Sequence, residues 1–198
     1  MKTCFNFAKR DSWEPCGTCE SCRRRADANA RAEKFKRALP FPNEEPFYMQ
    51  TYLIDIDGTI SDCAWRQSHA EAKDYDTFHA LCGEDKPIEN VCRLVRNLAT
   101  EHCVILVTGR SENNRRATEL WCTRHDLRVD DILMRPEKDY RPADELKVAL
   151  VTDYFGGIDK ALAAVTLVID DHEKVTETFR NLGFCVLQAS NTAMAAGA

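Results

Sequence analysis

The residues best equipped for chemistry are Asp55-Ile56-Asp57-Gly58-Thr59, which close the apolar, β-prone run Tyr48-Met49-Gln50-Thr51-Tyr52-Leu53-Ile54. Two carboxylates spaced i, i+2 on an extended backbone point to the same side of it. One can attack an electrophile while the other transfers a proton, and both can share one metal ion. An apolar run that stops at an acidic turn reads as a buried parallel strand, and ligands of open α/β sheets bind just beyond such strand ends. In outline this is a site for phosphoryl transfer.

Three further segments share that placement. Val107-Thr108-Gly109-Arg110 ends the apolar run Val104-Ile105-Leu106; a hydroxyl followed by glycine offers Oγ and backbone N–H groups to an oxyanion, and Arg110 adds a fork for phosphate. Lys147 falls near the start of a helix after Pro142-Ala143-Asp144, and Asp170-Asp171 directly follow Leu167-Val168-Ile169. Singly, each has an ordinary reading. Thr-Gly is a common turn, a lone lysine is a solvated surface residue, and paired aspartates favour the positive end of a helix dipole. Together, their order, strand-end placement and chemistry agree.

The elements that must position these groups alternate along the chain. Strands are expected at 48–56, Cys103–Thr108, Asp131–Met134, Thr166–Ile169 and Cys185–Gln188. Ile88, Val91, Cys92, Val95 and Leu98 recur at helical spacing, and further helices are expected over 112–124, 143–154 and 173–182, with Gly183 as a C-terminal stop. Such alternation predicts an α/β fold, a Rossmann-like parallel sheet covered by helices on both faces. Right-handed crossovers then bring the strand ends to one edge, where a composite site forms.

With these four segments in order, the chain resembles the haloacid dehalogenase superfamily of phosphohydrolases over roughly residues 48–190. The first motif of that superfamily, Asp-x-Asp-Gly-Thr, is matched without departure, and Thr108, Lys147 and Asp170-Asp171 stand for the other three. The resemblance implies a nucleophilic Asp55 that forms an aspartyl-phosphate and an Asp57 that acts as acid and then base. Thr108 and Lys147 would stabilise phosphoryl oxygens. Mg²⁺ would be held by Asp55, the Asp57 backbone carbonyl and Asp170, with Asp171 assisting. Relatives that attack carbon lack the second acid, so Asp57 favours phosphate chemistry. Only about 43 residues, 60–102, separate the first two motifs, so any cap over the site must be small. An Arg66 eleven residues after Asp55, Thr108-Gly109-Arg110, and Leu133-Met134-Arg135 with Arg135 twelve residues before Lys147 are similar to the 3′-phosphatase domains of bacteriophage polynucleotide kinase-phosphatases. This implies that Arg66, Gly109, Arg110 and Arg135 contact substrate phosphate or support the site; the alternative for each arginine is a surface ion pair. No Gly-x-x-x-x-Gly-Lys-Ser/Thr loop occurs, so a kinase half in the same polypeptide is not expected.

The chain divides near residue 46, at Pro40-Phe41-Pro42-Asn43-Glu44-Glu45-Pro46, into an arm (1–46) and a phosphatase-like domain (47–198). Cys4, Cys16, Cys19 and Cys22 give the arm four thiols. Their close spacing suits a tetrahedral ion, and Cys-Gly-x-Cys-x-x-Cys-Arg resembles the zinc-binding end of 7-cyano-7-deazaguanine synthase over about 25 residues. A structural Zn²⁺ is expected, with an iron–sulfur cluster or bare thiols as alternatives. Arg23–Arg37 reads as a short polar helix that either grips a nucleic-acid backbone or is simply solvated. Residues 1–50 hold ten Lys/Arg against seven Asp/Glu, the remainder 17 against 25, and the formal net charge is -5. The acidic part thus contains the candidate cation site. The ten cysteines, in a reducing compartment, read as metal ligands and buried thiols. Cys63, Cys82, Cys92, Cys103, Cys122 and Cys185 are expected in the core. His69, His79, His102, His125 and His172 lack ligand spacing and read as ordinary surface or core residues. No apolar run reaches transmembrane length and the start lacks a signal-peptide core, so a cytoplasmic protein without membrane contact is expected.

The sequence therefore predicts a Mg²⁺-dependent phosphomonoesterase acting on a nucleic-acid 3′-phosphate. Nucleoside monophosphates or a modified-nucleotide intermediate form the alternative substrate class. A non-catalytic nucleic-acid-binding protein on a phosphatase-like scaffold is the alternative of another kind.

Overall fold

The computed structural model describes residues 49–190. In chain order they form β1 (Thr51–Ile54), β2 (Ser61–Asp62), α1 (Gln67–Glu71), α2 (Tyr75–Ala80), β3 (Lys86–Pro87), α3 (Glu89–Leu98), β4 (Cys103–Ser111), α4 (Arg115–Arg124), β5 (Asp131–Arg135), α5 (Ala143–Phe155), α6 (Ile158–Ala164), β6 (Val165–Asp170), α7 (Glu173–Asn181) and β7 (Val186–Gln188). Five strands make a parallel sheet in the order β5-β4-β1-β6-β7.

Alternation of side chains about the pleat explains why both faces of this sheet need helices. Leu53, Ile105 and Val168 point to one face, where they pack with Val151 and Phe155 of α5, Ala161 of α6, and Val175 and Phe179 of α7. Their neighbours Ile54, Leu106 and Ile169 point to the other, against Cys92 and Val95 of α3 and Trp121 and Cys122 of α4. Each aliphatic side chain fully buried this way contributes on the order of 1.5–3 kcal/mol.

Register then sets the site. Ile54 is level with Leu106 on one side and Ile169 on the other, so Asp55, one residue on, is level with Val107 and Asp170. The Asp55 N–H donates to the Ile169 carbonyl at 2.9 Å. From β1 the chain winds outward through β4 and β5, then returns to the opposite side of β1 for β6 and β7. The ends of β1, β4 and β6 therefore surround the point where the winding reverses, the usual ligand position in such sheets.

Between β1 and α3 the chain makes a small insert. Ser61–Asp62 pairs antiparallel with Lys86–Pro87, and the loop between them carries α1, α2 and two short 3₁₀ turns, Ala64–Arg66 and Leu81–Glu84. This is the small cap that the short spacing of the first two motifs predicts.

Several boundaries differ from expectation. β4 runs on to Ser111, so Thr108-Gly109-Arg110 is strand, with a register shift between Val107 and Ser111, and not a turn. β1 is shorter than 48–56, and Asp170 is the last residue of β6. The helix expected over 112–124 begins as a 3₁₀ turn, Glu112–Asn114, before α4. α7 ends as predicted: Gly183 adopts φ +99° and its N–H donates to the Arg180 carbonyl. Five of the six scattered cysteines are buried, but Cys185, one residue before the edge strand β7, is exposed. The arm, with Cys4, Cys16, Cys19, Cys22 and the helix expected at Arg23–Arg37, lies outside the described residues. Among the described residues no helix is long and apolar enough to cross a membrane.

Candidate active site

The turn after β1 is built on one carbonyl. Ile56 O accepts from the N–H groups of Thr59, Ile60 and Ser61, which reverses the chain within three residues. Gly58 sits at φ +89°, and a Cβ there would lie 2.1 Å from Asp171 Oδ2. Only glycine allows both the left-handed backbone and the close approach of the β6 end. Asp55 is thereby held against Asp170 and Asp171.

These three acids form the first half of the site. One carboxylate oxygen from each lies within 4.8 Å of the others, and among the described residues this is the group of His, Cys, Asp and Glu able to hold a metal ion. Lys147, buried on α5, donates to Asp55 Oδ1 at 2.5 Å and to Asp170 Oδ2 at 2.6 Å. Thr59 Oγ1 reaches Asp55 Oδ2 at 3.3 Å and Asp171 Oδ1 at 3.4 Å. Burial pushes the Asp55 carboxyl well above its usual range, and Asp170, Asp171 and Asp57 add to this against the pull of Lys147. Asp171 is raised by burial and by Asp170. Burial alone would lower Lys147, but Asp55 and Asp170 outweigh it and hold the ammonium above its ordinary range. One lysine is thus set against three crowded carboxylates. An all-oxygen donor set that repels itself fits a hard divalent cation such as Mg²⁺.

The second half is ionic and lies toward the insert. Asp57 turns away from the three acids: its Oδ1 accepts from Arg66 Nη2 at 2.5 Å and from Arg110 Nη2 at 2.7 Å, with Arg110 Nε at 3.0 Å from Oδ2. Burial works to raise Asp57, yet the charge and hydrogen bonds of Arg110, then Arg66, hold it down at about 2. Both guanidinium groups are fully buried. Behind them stands Asp85, 2% exposed, which nothing in the sequence singles out. It accepts from Arg66 Nε at 2.8 Å and Nη2 at 2.6 Å, Arg110 Nη2 at 3.0 Å, Ser61 Oγ at 2.6 Å and Trp65 Nε1 at 2.9 Å. Arg66 is fixed further by the Phe78 carbonyl at 2.8 Å and by the Phe78 ring, 4.0 Å below its guanidinium carbon.

Thr108 and Gly109 directly precede Arg110 on β4 and differ in what they offer. The Thr108 hydroxyl is buried and accepts the Arg110 N–H at 3.2 Å, so it shapes the strand end. The Gly109 carbonyl accepts from Arg135 Nε at 3.1 Å, and Arg135 Nη1 also donates to the carbonyls of Asp139 and Arg141. Arg135 therefore fastens the loop after β5 to β4, while Arg66 and Arg110 face Asp57. The structure brings Asp55, Lys147, Asp170 and Asp171 into one cluster and Asp57, Arg66 and Arg110 into the adjoining one. Asp57 is absent from the metal-holding trio through its side chain, and no histidine joins it.

A five-stranded parallel sheet with an acid pair after β1, a buried lysine on a following helix and an acid pair at the end of β6 defines a phosphatase of the haloacid dehalogenase superfamily. Residues 49–193 match the family model described as the polynucleotide kinase PNKP phosphatase domain, and the chain belongs to that family. Two solved structures, each with a TM-score of 0.60, share the fold. A chain of the Pnkp1/Rnl/Hen1 complex is 21% identical with a TM-score of 0.60, and covers 77% of this chain and 50% of its own length. A chain of the Pnkp1/Rnl/Hen1 RNA repair complex gives the same identity and TM-score over 77% and 46%. A haloacid dehalogenase-like hydrolase from Streptococcus pneumoniae is 10% identical with a TM-score of 0.49, over 71% and 84%. The chain spans about half the length of the first two. No curated protein sequence matches it.

Proposed function

We propose that this phosphatase removes the terminal 3′-phosphate of nucleic acid, with Asp55 as nucleophile. The observation that carries the reading is the division of the site: three acids and Lys147 around Asp55, and a separate, arginine-held Asp57 beside them. In this reading an Asp55 carboxylate oxygen bonds to phosphorus as the bond to the leaving O3′ breaks. Asp57, ionised beside its arginines in the free site, first takes up a proton from solvent and then gives it to that oxygen. Asp57 then takes a proton from the water that attacks phosphorus and breaks the Asp55–phosphate bond, releasing inorganic phosphate. Asp57 first needs relief from its arginines, and the incoming phosphate oxygens supply it by drawing the Arg66 and Arg110 donors onto themselves. Lys147 offsets the charge on Asp55 and the phosphoryl oxygens. Mg²⁺, held by Asp55, Asp170, Asp171 and the Asp57 backbone carbonyl, would neutralise the approach of two anions.

The polynucleotide substrate is supported by the family and by the openness expected of a short insert. The same reading assigns Cys4, Cys16, Cys19 and Cys22 to a structural Zn²⁺ and the basic residues 23–37 to a nucleic-acid backbone, on the sequence pattern alone. Initial rates on 3′-phosphorylated oligonucleotides and on 3′-mononucleotides, at equal Mg²⁺, test the substrate. The oligonucleotide should have the higher kcat/KM; equal or better use of the mononucleotide refutes the polynucleotide reading and leaves the phosphatase standing.

A further inference from the structure

We propose that Asp85 is a positioning residue for phosphate recognition, holding the Arg66 and Arg110 guanidinium groups at the spacing that one phosphate requires. The inference rests on the reading of those arginines as phosphate ligands.

Two fully buried guanidinium groups would repel one another, and two carboxylates separate them. Arg66 Nη2 is shared between Asp57 Oδ1 and Asp85 Oδ2, and Arg110 Nη2 is shared between the same two oxygens. The two acids differ in access. Asp57 has a side chain 18% exposed, whereas that of Asp85 is fully buried. A phosphate entering from solvent can therefore replace Asp57 as acceptor, while Asp85 stays behind the arginines and keeps them apart. The spacing is also anchored to the insert. Ser61 of β2 and Trp65 of the first 3₁₀ turn bind the same carboxylate, and the Asp85 carbonyl accepts Trp121 Nε1 of α4 at 2.7 Å. Asp85 thus ties the insert, the end of β4 and α4 to one pair of donors. Preorganised donors are worth most where charge has to be gathered without further reorganisation.

A carboxylate that merely stapled the insert would show its loss in stability alone. The test is calorimetric binding of inorganic phosphate in saturating Mg²⁺, beside Mg²⁺ binding without phosphate, on the full chain below its unfolding temperature. Asp85→Asn should weaken phosphate at least tenfold and leave the Mg²⁺ Kd within about twofold, because the acid trio is separate. Asp85→Glu keeps the charge that the buried arginines need but moves it by one methylene, and should weaken phosphate as well if position is what matters. In an Arg66→Ala, Arg110→Ala background, Asp85→Glu should add less than twofold. Phosphate affinity unchanged in Asp85→Glu, with only the unfolding temperature lowered, overturns the inference. Wild-type protein that binds Mg²⁺ but no phosphate overturns the functional reading instead.

Discussion

At Gly58 a methyl group has no room: it would lie 2.1 Å from an Asp171 oxygen, on a backbone with φ +89°. Gly58→Ala should therefore destabilise the fold by about 1–3 kcal/mol through backbone strain and push Asp171 away from Asp55. Mg²⁺ titration should show weakened binding; an unchanged Mg²⁺ affinity would contradict the packing described. Asp57 gives a second prediction. Its folded pKa of about 2 lies below its unfolded value of about 3.9. The stability it contributes is fully present above that unfolded value and lost as pH falls through about 2. Urea midpoints of the metal-free protein should fall over this window, and Asp57→Asn should flatten that part of the profile; an unaltered slope would contradict the ionic role. Asp55-Ile56-Asp57-Gly58-Thr59 was legible in the sequence because spacing on one strand end is local. Asp85 was not. It sits in the polar stretch Gly83-Glu84-Asp85-Lys86, and its partners are 19 to 25 positions away along the chain, joined only by the fold.

Elements that obey a long apolar period were legible: the five sheet strands and the helices α3, α5 and α7 came within a few residues of expectation. The insert was legible only as a length. β2 and β3 are two residues each, and α1 and α2 five and six. Such pieces carry too few side chains for a pattern, and their order comes from contacts such as Arg66 with Phe78. α6 was missed for the same reason, seven residues started by Gly156-Gly157 in positive-φ conformations. Trp121 of α4 joins the sheet to the insert: it is fully buried, and its indole N–H reaches the Asp85 carbonyl. Trp121→Ala should cost about 3–5 kcal/mol in urea unfolding. A loss below 1 kcal/mol would show that α4 does not brace this side of the site.

Across the molecule, the reversal of winding at β1 gathers groups from residues 55 to 171 at one sheet edge. Alternating strand and helix patterns predict such an edge without giving the strand order; register then brings Asp55 level with Asp170. The acidic domain and the basic arm should divide the work. Deleting residues 1–46 should leave Mg²⁺-dependent hydrolysis of an aryl phosphate within about twofold and abolish salt-sensitive oligonucleotide binding. Binding that survives deletion would place the nucleic-acid surface on the domain. In the proposed reaction Asp55 takes the phosphoryl group, and single-turnover phosphate release from a 3′-phosphorylated oligonucleotide, with and without Mg²⁺, isolates that step. The wild type should release phosphate only with Mg²⁺ and Asp55→Asn should release none; release by Asp55→Asn near the wild-type rate would rule out Asp55 as the nucleophile.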